Sequence, residues 1–334
     1  MKRIISLALA AMIILCAVSC TSLESTAEEK KVVMTVAGYD VAYEVFRYAA
    51  LNCLDEALAD GKTELTDEFI ASEAGKALEE SVKSEAAERL KTIYGVFALG
   101  EKYGIDRNSE AIAALVDSNM ESNEAQYESK KDFKASLTES HMTKNVLRVT
   151  EEFTVVYDEI YNEMLECGDI VTDRDGLNKI FASDELVRIK ELCFSTERHS
   201  IEECRTLAAA AYGELKAGAD FDAYVDAHGE SLTMFKNHDG HYITRGIWEK
   251  SLEDAAFALS VGEMSEPIET SDGVRILLRA EKSGDYIEEN FDTLRDTYEE
   301  GVFRRAVEDA VSEAGVVPAQ GFAEISVFEM RNGK

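Results

Sequence analysis

Two strand-like runs near the middle of the chain, Val187-Arg-Ile-Lys-Glu-Leu-Cys-Phe194 and Gly273-Val-Arg-Ile-Leu-Leu278, most constrain what it can fold into. The pieces between them come in a definite order. An amphipathic helix ends at Lys216-Ala-Gly-Ala-Asp-Phe221, and Ile243-Thr-Arg-Gly246 follows. Then come a helical Leu252-Glu-Asp-Ala-Ala-Phe-Ala-Leu259 and the turn-rich Gly262-Glu-Met-Ser-Glu-Pro-Ile-Glu-Thr270. Together they span roughly a hundred residues, enough chain for one domain.

The first residues bear on location. Lys2 and Arg3 precede an apolar run, Ile4 to Val18, too short for an ordinary membrane span. Ala17-Val18-Ser19 then places small residues before Cys20, the pattern of a bacterial lipobox, in which Cys20 is lipidated. An ordinary signal peptide or an uncleaved anchor is the alternative, and every one of these readings exports the chain. Residues 1–19 are thus expected to be a signal and 20–31 a polar tether. The whole chain, 46% hydrophobic and 30% charged, has a globular composition, and only two prolines favour helix. A formal charge of −31 disfavours electrostatic binding to nucleic acid or to an anionic membrane surface. Cys53, Cys167, Cys193 and Cys204 are scattered, without the close pairing of metal sites. Buried free thiols are the simplest expectation; export permits disulfides, and spacing selects none of the three connectivities.

Around the central segment the periodicity is helical. Val32–Val36 reads as a strand, Gly38-Tyr-Asp40 as a turn, and Val41 to Leu58 as a helix with Val45, Phe46, Ala49, Cys53, Leu54 and Ala57 on one side. Thr66, followed by Asp67 and Glu68, is an N-cap for a long helix through Phe97 that stops at Gly104-Ile105. Such a helix needs partners, for which Ser109–Met120 and a run from Lys131 to Leu165, ended by Gly168, are the candidates; Asp175–Ala182 adds a short helix before the strand at Val187. Beyond Ala280 a helix from Tyr286 to Glu313 follows, and Val316 to Met330 is expected to add a strand beside Val32–Val36.

The central segment resembles the parvulin (PpiC) family of peptidyl-prolyl isomerases, most specifically in Gly-Ala-Asp-Phe221 and Gly262-Glu-Met-Ser-Glu-Pro-Ile-Glu-Thr270. Val36-Ala-Gly-Tyr-Asp-Val41, strand then turn then helix, resembles the start of PrsA- and SurA-type foldases. The resemblance implies an α+β chain: a mainly helical SurA-N/PrsA-like chaperone domain over 32–185 and an inserted parvulin-like α/β domain over 186–282 with a small four-stranded sheet. Residues 283–334 would return to pack on the first domain. It implies unfolded or extended polypeptides as partners, attachment to the membrane through an N-terminal lipid at the extracytoplasmic face, and no cofactor. A homodimer is compatible with it.

The family places two histidines beside the target amide, and here Glu191 and Arg275 hold those positions. Neither acts as a neutral imidazole that donates and accepts. A third family position falls at Glu230 or Ser231, and Thr270, which bonds a histidine in the family, is retained. The proline pocket would be lined by Trp248 and Leu252, with Phe257 behind them; a further pocket leucine falls at Gly240. Opposite charges at Glu191 and Arg275 suggest an ion pair on neighbouring strands, adding at most about 1 kcal/mol if exposed. His228, His238 and His241 do not supply a closed metal site. The expected protein is an exported foldase with isomerase activity weak or lost. A non-catalytic holdase or peptide-binding surface lipoprotein is the alternative, and an acidic envelope scaffold a third.

Overall fold

The computed structural model describes residues 28, 30–59, 61–231, 234 and 240–331. The expected signal and Cys20 lie outside the described residues. The chain divides into two compact units, one built from residues up to Glu163 together with Val307 onward, the other from Met164–Ala306.

In the first unit, β1 (Val32–Val36) and β2 (Tyr39–Ala42) form a hairpin whose turn is Ala37-Gly38, one residue earlier than the sequence suggests. Both turn residues have positive φ, 51° and 86°, the handedness that matches strand twist in a two-residue hairpin. β7 (Val316–Pro318) pairs antiparallel on the other side of β1, giving the order β2-β1-β7. The expected tail strand is therefore present but short; the chain beyond it forms a 3₁₀ turn, Phe322–Glu324, and a helix, Val327–Arg331.

Helix α1 (Tyr43–Ala57) buries Val45, Phe46, Ala49, Cys53 and Leu54. The long helix expected from Thr66 is divided. Thr66 caps only α2 (Asp67–Ala71), and Ser72 starts α3 (Glu73–Lys102) anew. The Ser72 hydroxyl donates to the Phe69 carbonyl at 2.6 Å and accepts from the Gly75 N–H at 3.1 Å, so one side chain ends one helix and caps the next. Helix α3 stops at Gly104, φ 77°, where the Ile105 N–H reaches the Gly100 carbonyl and the Gly104 N–H reaches Glu101. This is a Schellman ending, as the sequence suggests.

The run Lys131 to Leu165 is likewise two helices, α5 (Lys130–Glu139) and α6 (Lys144–Cys167), separated where His141 takes φ 58°. With α4 (Glu110–Glu124) they enclose Ile112, Val116, Met120, Phe133, Leu137 and Leu147. Fully buried Glu44 in α1 accepts from Thr143 Oγ1 at 2.5 Å and Asn145 Nδ2 at 2.8 Å, while Thr143 Oγ1 receives the Val146 N–H. An acid in one helix thus organises the start of another. Of the free thiols, Cys53, Cys193 and Cys204 are buried, but Cys167 at the end of α6 is exposed, contrary to expectation.

The second unit is built on a four-stranded antiparallel sheet, β4-β3-β6-β5, from β3 (Val187–Ser195), β4 (His241–Ile243), β5 (Ile268–Thr270) and β6 (Gly273–Ala280). Period-two alternation sorts its faces. Leu192, Phe194, Val274 and Ile276 face Cys204, Ala208, Ala211 and Leu215 of α8 (Ile201–Lys216) and Phe221 and Val225 of α9 (Phe221–His228). Val187, Ile189 and Leu277 pack with Leu252 and Ala256 of the helix Lys250–Ala258. The unit is wider than 186–282, because Leu177 and Phe181 of α7 (Arg174–Ala182) pack with Tyr242, Phe291, Leu294 and Tyr298.

Glu44→Ala leaves Thr143 and Asn145 without their buried acceptor. It is expected to cost the first unit about 2 kcal/mol, read as a lowered urea midpoint by far-UV circular dichroism.

Candidate functional site

The face of the sheet that carries Val187 and Ile189 also carries Glu191 and Cys193, because strand side chains repeat every second residue. Register puts Cys193 opposite Arg275 and Glu191 opposite Leu277, so Glu191 and Arg275 are diagonal neighbours on that face. A long side chain spans such a diagonal. Arg275 Nε donates to Glu191 Oε2 at 3.1 Å, the ion pair that charge reversal suggests. It is not the exposed pair assumed from sequence: the side chains retain 8% and 15% of their accessibility.

The rest of the Arg275 fork is also occupied. Nη1 donates to Thr270 Oγ1 at 2.7 Å and to Asp272 Oδ1 at 2.5 Å, and Nη2 to Asp272 Oδ2 at 2.9 Å. Thr270 pairs with Gly273, so Ser271-Asp272 is the two-residue turn between β5 and β6, and its position aims Asp272 back at the third residue after it. The Arg275 fork holds the Asp272 carboxyl well below the usual carboxylate range. Burial on its own would raise Glu191, but nearby His241, the Ser231 hydroxyl and the Arg275 charge outweigh it and bring its pKa below normal.

Glu230 and Ser231 separate. Ser231 Oγ donates to Glu191 Oε1 at 2.5 Å and belongs to the cluster. The Glu230 carboxylate instead accepts the Ser195 N–H at 2.8 Å and lies 2.8 Å from His199 Nε2, closing the end of β3. His241, opposite Ile189 in β4, places Nε2 3.6 Å from Glu191 Oε1, too long for a hydrogen bond. Its ring meets Trp248 edge-on at 5.4 Å.

The apolar positions are grouped on the same side. Leu252 is buried with Ile189, Ile243 and Leu277, and Trp248 and Phe257 pack half-buried against that cluster. The Arg245 guanidinium lies 4.2 Å from the Phe257 ring centre. Gly240 contributes no wall: with φ 91°, a Cβ there would stand 2.5 Å from the Ile189 carbonyl oxygen. His238 lies outside the described residues. Among the described residues no group of His, Cys, Asp or Glu has the arrangement of a metal site, and no helix is long and apolar enough to cross a membrane.

The arrangement holds no activated nucleophile. Burial pushes the Cys193 thiol up to about 12, which leaves it protonated. What remains is an apolar shelf beside a guanidinium whose charge is already balanced. Sequence reasoning missed Asp272 and weighed His241 only for a metal site, which it set aside. The signal for Asp272 was its place two residues after retained Thr270 and three before Arg275. The signal for His241 was its place beside the strand-like Ile243.

Comparison with known proteins adds a family. Residues 186–281 match the rotamase model described as a PPIC-type PPIase domain. The peptidyl-prolyl cis-trans isomerase pin1 of Rhizopus delemar is 29% identical over 114 residues, which are 31% of this chain and 73% of that protein. Among solved structures, the peptidylprolyl isomerase PrsA of Bacillus anthracis is 15% identical, covering 67% of this chain and 96% of its own, at a TM-score of 0.36. The foldase protein PrsA of Streptococcus pneumoniae is 17% identical, covering 75% and 92%, at 0.29.

Removing Glu191 leaves Arg275 paired with Asp272 but deprives its Nε and the Ser231 hydroxyl of their buried acceptor. Glu191→Ala is expected to destabilise the second unit by about 3 kcal/mol, and Glu191→Leu with Arg275→Met to recover most of that loss. Both carboxylates have folded pKa values below their unfolded values near 4. Their stabilisation is therefore complete above roughly pH 5 and declines as pH falls through and below that range. Urea midpoints followed by Trp248 fluorescence should drop between pH 7 and pH 3 in the wild type, and less in the double variant.

Proposed function

The chain carries a PPIC-type parvulin domain at residues 186–281, and from that premise we propose that it is an extracytoplasmic foldase that holds proline-containing, unfolded polypeptide and isomerises it weakly or not at all. Rotation about an X–Pro bond is slow because amide resonance resists it, with a barrier near 18–20 kcal/mol. A catalyst binds the proline ring in an apolar pocket and stabilises the twisted amide. A thousandfold acceleration requires roughly 4 kcal/mol of preferential stabilisation.

The observation that carries the reading is the closed set of bonds around Arg275. Its donors are committed to Glu191, Thr270 and Asp272, so they offer little to an amide that changes its polarity as it twists. Trp248, Leu252 and Phe257 support the binding half of the function, since an apolar surface grips proline without any help from the polar array. The basic start, the apolar run and Cys20 support attachment to the outer face of a bacterial membrane by a lipid. The strong negative charge favours clients richer in basic residues.

Two experiments test this. The relaxation of a short X–Pro peptide after a solvent jump should be accelerated less than about tenfold at an enzyme concentration where an active parvulin is saturating; robust turnover would refute the loss of chemistry. Cys20→Ser should abolish incorporation of a labelled fatty acid and move the protein from the membrane to the soluble fraction; unchanged fractionation would remove the anchor.

A further inference from the structure

We infer that Glu253 is the positioning residue for Trp248, and so sets how the apolar shelf meets a proline ring; this rests on the binding reading above. Glu253 lies in the first turn of the helix Lys250–Ala258 and is 7% exposed. Among the described residues no cation pairs with it. Its carboxylate is instead met by three successive backbone donors: Gly246 N–H to Oε2 at 3.0 Å, and Ile247 and Trp248 N–H to Oε1 at 2.7 and 2.8 Å. A buried carboxylate is tolerated only when such donors replace its water, and charge-assisted bonds of this length are strong.

The same turn is fixed from its other side by close backbone approach. Gly246 has φ 89°, and a Cβ on it would stand 2.2 Å from the Gly301 carbonyl oxygen. A Cβ on Gly301 would stand 2.3 Å from the Arg245 carbonyl oxygen. The turn Arg245–Trp248 is therefore clamped between a carboxylate and a glycine. The last of the three bonded N–H groups belongs to Trp248 itself, so the carboxylate fixes where that side chain departs from the backbone. Glu253 is buried and bonds the backbone of the turn, so it acts through Trp248.

The single tryptophan of the chain makes the test direct. Amide exchange of Gly246, Ile247 and Trp248 is measured by NMR in the intact chain, and a short Ala-Pro peptide is titrated against Trp248 emission. In the wild type the three amides should be protected at least a hundredfold relative to unbonded loop amides. In Glu253→Gln their exchange should quicken tenfold or more, emission should shift to the red, and the peptide should bind about tenfold more weakly. A role confined to stability would lower the unfolding midpoint yet leave emission and affinity of the folded protein unchanged, which overturns the inference. If the variant does not fold, unprotected amides in the wild type overturn it and protected ones support it. A wild type that binds no proline peptide while keeping the three amides protected refutes the binding reading and leaves the clamp standing.

Discussion

A guanidinium on the inner face of a small sheet has to be met by acceptors, and the second unit depends on how Arg275 is met. Lysine could not substitute for it. A planar fork reaches the carboxylate of Asp272 with two nitrogens while Nε still faces Glu191, whereas an ammonium offers a single point of charge. These bonds connect β3 to the β5–β6 turn across β6, so three strands are tied at one residue. Ser231 joins from the segment after α9 by donating to the same Glu191. Where the parvulin resemblance expects imidazoles that adjust to an amide, this chain holds a fixed charge network.

The acids that this very acidic chain buries are each accommodated differently. Glu44 is bonded by a hydroxyl and a carboxamide, Glu191 by a guanidinium and a hydroxyl, and Glu253 by backbone N–H groups alone. Each lies where two segments must keep a set relation: α1 with the start of α6, β3 with β6, and the Arg245–Trp248 turn with the helix after it. Most of the other acids are solvated and act on solubility and on the long-range field.

Much of this was legible in sequence because it depends on local rules. Glycine at 104 needed only the helix-stop rule, whereas the pairing of Glu191 with Arg275 was read from the strand neighbourhood that the parvulin resemblance implies. Breaks inside helical periodicity were harder. Ser72 and His141 interrupt stretches whose apolar spacing continues on either side; the Ser72 bonds are local, to Phe69 and Gly75, but His141 pairs with Asp55, a partner visible only after folding. Burial of the Glu191–Arg275 pair was illegible for the same reason, since strand alternation gives the face but not what covers it. α7 was placed by adjacency with the helices before it, yet Leu177 and Phe181 belong with Tyr242. That Trp248 and Phe257 pack against the same cluster as Leu252 follows from folding, which the sequence only suggests.

The short strand Val316–Pro318 has one more implication. It is last in its sheet, and the Ala37-to-Gly315 and Ala319-to-Val33 bonds show which of its residues turn their amides inward. By alternation Val317 bonds to β1, while positions 316 and 318 look outward. Proline at 318 has no hydrogen to offer there, so a stray extended segment finds an incomplete template. The outer margin of this sheet is thereby guarded against seeding further strand addition.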